Sequence, residues 1–260
     1  TAGSSNNITL TNSSNDFSGE FSVVSGADVS VKDSNNITLG DINMSGDLTA
    51  EAVSGNLLLD GDIVKDSGAD ATATLKATGY VTLADSTYIG SYTQDAADGI
   101  TSSISSSNNK LNLIVNPGSG GGEGGFWLPS GSSITTNGGD ITVGGGADPT
   151  STLAIGFGSQ SHEWNSLMRG VAINGTLNAQ GGDIILNGQG STNGGVSAAR
   201  GVHIGGAVST SGSGTINISG QGKGGSSGVA LGDSSGFNGT ISSEDGTITI
   251  TGTKGTGDAI

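Results

Sequence analysis

The chain has 260 residues, 50 of them Gly, no Cys, 12% charged residues and a net charge of −15. This composition excludes a disulfide scaffold, a Cys-ligated metal site and a basic nucleic-acid footprint, and no apolar run approaches the ~20 residues of a membrane span. Three Pro and no Gly period of three exclude collagen, and Gly costs about 1 kcal/mol per position in a helix.

Residues 1–117 read as irregular short strands. Their apolar positions alternate with polar ones in bursts such as Ile8-Thr9-Leu10, Ile37-Thr38-Leu39 and Val81-Thr82-Leu83. Gly, Asn and Asp turns such as Asp33-Ser34-Asn35-Asn36 and Asp60-Gly61-Asp62 separate them. A period of two between turn residues predicts half-buried β-strands. Residues 118–125, a run of Gly, Ser and Glu, are expected to form a loop or a boundary, and residues 126–260 a second region that is one with the first or separate from it.

The second region carries a repeat. Gly170-Val171-Ala172-Ile173 recurs as Gly201-Val202-His203-Ile204 and as Gly228-Val229-Ala230-Leu231. A second apolar beat follows at Leu177, Val208 and Ile241, and a third at Ile184, Ile216 and Ile248, each of these 32 residues from the last. Ile134 and Ile141 match the second and third beats of an earlier copy, with Phe157 to Arg169 as an insertion before the next. The chain does not begin with Met and stops where another unit would open, so an excised or mature segment is expected.

Three short strands cannot bury a face alone, but stacked copies cover one another. The expected fold is therefore all-β, a parallel β-solenoid with loop excursions, inward columns of Ile, Leu and Val, and Gly at corners supplying positive φ. Coils of ~20 residues would give on the order of 13 turns and a rod of roughly 60 Å.

The stretch Asn15 to Val23, then Val29-Ser30-Val31-Lys32-Asp33-Ser34-Asn35-Asn36-Ile37-Thr38-Leu39-Gly40, resembles repeat regions of filamentous-haemagglutinin-like exoproteins. The Gly-Val-x-Ile and Gly-Gly-Asp-Ile-x-Leu units are similar to β-strand repeats of large two-partner-secretion or autotransporter-type bacterial surface adhesins. The resemblance implies a right-handed parallel β-helix, an outer-membrane export partner for the parent protein, and a role in adhesion, aggregation or biofilm. It brings no catalytic motif.

Few residues suggest chemistry. The segment around His162, Glu163, Trp164, Asn165 and Arg169 is compositionally foreign. A protruding loop with these side chains would stack a sugar on Trp164 and hydrogen-bond its hydroxyls; the plainer reading is a flap that covers the flank. Trp127 is expected to seal a coil, and His203 to point outward on a strand. No cofactor is implied. Ca²⁺ is the one ion considered, because Asp41, Asp47, Asp60, Asp62, Asp66 and Asp70 are dense, although turn positions explain them too.

The reading is a segment of a secreted or surface-exposed bacterial adhesin, a rigid stalk that binds glycan, host or matrix components through loops. It is not expected to be an enzyme, to bind nucleic acid or to insert into a membrane. The alternatives are a carbohydrate-active enzyme (polysaccharide lyase or glycosidase) on a β-helix, which would need paired carboxylates or a basic groove, and a purely structural spacer.

Overall fold

The computed structural model describes residues 1–83, 101–158, 168–192, 199–232, 236 and 238–255. Among them there are strands and turns and no helix. In chain order the strands are β1 (Ile8–Leu10), β2 (Phe21–Gly26), β3 (Val29–Asp33), β4 (Ile37–Met44), β5 (Leu48–Ala52), β6 (Leu57–Leu59), β7 (Ile63–Lys65) and β8 (Ala71–Ala77). Then follow β9 (Val81–Thr82), β10 (Ser103–Ser106), β11 (Leu111–Asn116), β12 (Phe126–Leu128), β13 (Ser133–Thr135), β14 (Ile141–Val143), β15 (Ala154–Ile155) and β16 (Val171–Ile173). The last are β17 (Thr176–Asn178), β18 (Ile184–Gln189), β19 (Val202–Ile204), β20 (Ala207–Thr210), β21 (Ile216–Gln221), β22 (Val229–Leu231), β23 (Thr240–Ser243) and β24 (Ile248–Thr253).

All the pairings are parallel, and they form long ladders. The first ladder runs β1-β3-β5-β8-β11-β14-β18-β21-β24, with β15 added beside the far end of β18. The other sheet branches at the eight-residue β4, whose first half carries β6 and whose second half carries β7. One arm, the second ladder, runs β6-β9-β12-β16-β19-β22; the other, the third ladder, runs β7-β10-β13-β17-β20-β23. From β6 onward the chain visits the second, third and first ladders in turn, with β15 the one extra strand. This order is compatible with the expected β-solenoid.

The repeat beats are the three ladders. Val171, Val202 and Val229 stack on the second, Leu177, Val208 and Ile241 on the third, and Ile184, Ile216 and Ile248 on the first. Ile134 and Ile141 pair with Leu177 and Ile184 as the partial copy predicts. The inward Ile, Leu, Val and Ala columns form one apolar core that includes residues from both halves of the chain. The ladders pass the Gly-rich segment unbroken, since β9 pairs with β12 and β11 with β14.

The expected number of turns is corrected. The first ladder has nine rungs, because returning to the same position takes from 19 residues (Val29 to Leu48) to 43 (Ile141 to Ile184). Eight steps of ~4.8 Å span about 38 Å. After the third beat the strand goes on: β18, β21 and β24 each continue through a Gly to a sixth residue.

That Gly differs from expectation too. Gly188 and Gly201 do not have positive φ. They are required by close approach, since a Cβ on Gly188 would lie 2.3 Å from Gly201 O and one on Gly201 would lie 2.3 Å from Gln221 N. The Gly of the Gly-Val-x-Ile unit and the Gly after the third beat therefore face one another across a corner. Positive φ is confined to other turns, such as Gly138 at +88°.

Two polar devices hold the corners. At one, a side-chain oxygen accepts the backbone N–H of the next rung: Asn112 from Asp140 (3.0 Å), Asp140 from Asp183 (2.8 Å) and Asp183 from Thr215 (2.7 Å). Asn7, Asp28 and Asp47 make the same chain to Thr72. At another corner an inward polar column donates to turn carbonyls: Lys65 Nζ to Ser67 O, Ser106 Oγ to Asn109 O, Thr136 Oγ1 to Gly139 O and Thr210 Oγ1 to Gly182 O. Lys65 is fully buried and stacks on Met44. Unpaired buried carbonyls are costly, which accounts for polar groups in an otherwise apolar interior.

Candidate functional site

Of the candidate binding loop, His162, Glu163, Trp164 and Asn165 lie outside the described residues. Arg169, at its root, is 5% exposed, and its Nη1 lies 2.7 Å from His203 Nδ1. Arg presents only donors, so His203 accepts at Nδ1 in this contact. The expectation of a surface His203 is corrected: its side chain leaves the core side of β19, because Val202 and Ile204 face inward, yet it is 0% exposed.

Burial of His203 follows from a cover over the outer face of the second ladder. From β6 to β19 the outward positions are, in register, Leu58, Thr82, Trp127, Ala172 and His203, and all five are buried, whereas Ala230 on β22 is half-buried. Trp127 thus has the structural place that was expected of it. Tyr80 and Met168 are buried, and the rings of Tyr80 and Phe157 meet edge-on at 5.7 Å. Burial raises the Tyr80 phenol above its ordinary pKa. The excursion that holds β15 is tied down by Glu123 of the Gly-rich segment. Glu123 Oε1 accepts from Thr192 Oγ1 (2.8 Å), Thr192 N (3.2 Å) and Ser191 Oγ (3.2 Å), and Glu123 pairs with Ile155 in a β-bridge.

Carboxylates at the turns, among them those considered for Ca²⁺, act at corners. Asp41 Oδ1 accepts the N–H of Asp62, and Asp62 Oδ1 accepts from both N and Oγ of Ser103. Glu244 accepts the N–H of Gly212. Among the described residues no group of three or more His, Asp or Glu is arranged to hold a metal ion. One charge cluster is built across rungs: Lys32, Glu51 and Lys76 are in register on the outer face of the first ladder, with Glu51 2.6 Å from Lys32 and 2.9 Å from Lys76. Partial burial raises the Glu51 pKa, but hydrogen bonds from Lys32 and then Lys76 outweigh it and hold the carboxyl below its ordinary value. At the exposed turn of Asp148, hydrogen bonds from Thr150 and Ser151 lower that carboxyl.

A groove of about 370 Å³ follows the corner between the second and third ladders. Its lining includes Ser132, Ser133, Asn174, Thr176, Asn238 and Thr240, with Gly175 and Gly206 along it, and no lining residue is charged. On its third-ladder side, Ser133, Thr176, Ala207 and Thr240 stack in register. Asn174 is 8% exposed, and its Oδ1 is buried without a donor. The sequence signal for this groove is the corner triplet Asn174-Gly175-Thr176, which returns two units later as Asn238-Gly239-Thr240. Each triplet is also an Asn-x-Thr sequon, a pattern that a chain this rich in Asn, Ser and Thr produces by chance.

No family model, no curated protein and no solved structure matches this chain.

Proposed function

We propose that the chain is a segment of a secreted or surface-exposed bacterial adhesin, folded as a right-handed parallel β-helix that serves as a stiff stalk and presents binding groups on its flank to glycan or matrix partners. The observation that carries the reading is the unbroken nine-rung parallel ladder, whose later rungs come from a repeat with mostly small and polar outward positions. A repeat of this kind lengthens by addition of units, which suits reach rather than turnover. Right-handed winding is the rule for crossovers between parallel strands. The high negative charge keeps a molecule with strand edges at both ends soluble and opposes stacking. In the parent protein an outer-membrane export partner would deliver this region to the cell surface. The parent's export would also be served by an absence of Cys, since no disulfide can form early.

The test is binding of the purified chain to a glycan array and to immobilised matrix proteins, with and without Ca²⁺. Retention on a defined glycan or matrix class supports the adhesin. Absence of retention on every surface overturns it in favour of a spacer, and loss of mass or new reducing ends in a bound glycan overturns it in favour of an enzyme.

A further inference from the structure

We propose that the groove between the second and third ladders is a binding site for a neutral, hydroxyl-rich chain, an uncharged polysaccharide lying across the rungs. The inference rests on the glycan-binding role above and gives it a place other than the loop at 162–165.

Five observations converge. The groove is concave and crosses successive rungs, so a polymer that follows it meets the same corner repeatedly at ~4.8 Å intervals. Its polar groups are hydroxyls and amides, which both donate and accept, as sugar hydroxyls do. It carries no charge although the protein has a net charge of −15, so it has neither the cations that an anionic glycan requires nor the carboxylates that a metal ion requires. Asn174, more than nine-tenths buried in its wall, has an acceptor oxygen without a donor. Such a group is costly as it stands, and a turn of the amide toward the groove would let a ligand O–H supply the missing donor. Gly175 and Gly206 bring backbone rather than side chains to the groove, and Ala207 leaves a gap between the hydroxyls of Thr176 and Thr240.

The experiment measures equilibrium binding of the full chain to immobilised neutral glucans, mannans and galactans, with heparin as the anionic probe. Four variants accompany it: Thr176→Arg, Thr240→Arg, Asn174→Ala and Trp164→Ala, each first checked for an unchanged circular dichroism spectrum. Thr176 and Thr240 are exposed, so an Arg at either site fills the groove without entering the core, and the second serves if the first perturbs folding. The expected result is retention on at least one neutral polymer, at least a tenfold loss with either Arg variant, and a loss of about fivefold with Asn174→Ala, the worth of one hydrogen bond. Trp164→Ala is expected to bind as the parent does. Binding that survives both Arg variants and disappears with Trp164→Ala overturns the groove and leaves the adhesin reading standing. Binding to heparin alone overturns the neutral-ligand assignment. Binding to none of the glycans overturns this site, and the adhesin reading falls with it only if the matrix proteins are not retained either.

Discussion

Ile216 and Ile248 occupy the same column of the first ladder, one rung apart, and have the same chemistry. Ile216 is 0% exposed between Ile184 and Ile248, whereas Ile248 is 39% exposed on the last described rung. Truncating a buried Ile to Ala removes its transfer free energy and leaves a cavity, and costs about 2–5 kcal/mol. At Ile216 both terms apply in full, so about 3 kcal/mol is expected. At Ile248 part of the side chain is already in water and no further rung among the described residues covers it, so the cavity term largely vanishes and about 1 kcal/mol is expected. Ile216→Asp should cost more than Ile216→Ala, because an unpaired charge enters the apolar column. The assay is urea unfolding followed by far-ultraviolet circular dichroism. Amide exchange at Asn217 and Ile218 would accompany it, because repeat arrays can lose cooperativity. Equal losses at the two positions, or an unchanged midpoint for Ile216→Asp, would refute the stacking described here.

Three further outcomes concern the corner devices and the ion-pair cluster on the first ladder. Asp183→Ala should cost about 0.5–1 kcal/mol by removing the acceptor of Thr215 N–H at an exposed corner, while Asp183→Asn should be nearly neutral, since Asn112 does the same work at the same corner two rungs away; equal effects in thermal unfolding would contradict the corner role. Glu51 has a lowered pKa when folded, so its ion pairs contribute fully above the ordinary carboxylate range, and the contribution is lost as pH falls from about 4.5 through the lowered value. The partners are partly exposed, so the gain is at most about 1 kcal/mol and fades with salt; a Glu51→Gln chain with the same pH dependence of its urea midpoint as the parent would rule it out. Lys65→Met should cost about 1–2 kcal/mol, because Met fits the column as Met44 does one rung earlier but leaves Ser67 O without its donor, whereas Lys65→Ala adds a cavity and should lose about 3 kcal/mol or more; an unchanged urea midpoint for Lys65→Met would mean that this hydrogen bond does not hold the corner.

Much of the ladder order is legible in the sequence, because alternation has a period of two and the spacing from Ile184 to Ile216 to Ile248 is constant. What is not legible arises from contacts between distant residues. Turns of 19 to 43 residues conceal the rung count, since a long excursion and an extra turn look alike in apolar patterning. β4 is a single strand that supports two arms, and nothing in Ile37 to Met44 announces the branch. His203 alternates as a surface residue should, but Arg169 packs against it and the outer face around it is covered from elsewhere in the chain. The corner groove draws on four separate segments of small residues, each of which reads alone as an ordinary loop.

The most direct test is the distance along the first ladder. Thr9 and Thr249 are both exposed and belong to one outward column, and the protein has no native Cys to compete for labels. Spin labels at Thr9→Cys and Thr249→Cys, measured by pulsed dipolar spectroscopy, should give one dominant separation near 38 Å, the eight steps of a continuous nine-rung ladder, broadened by the label arms. A broad distribution, or a separation near the roughly 60 Å of thirteen turns, would contradict it.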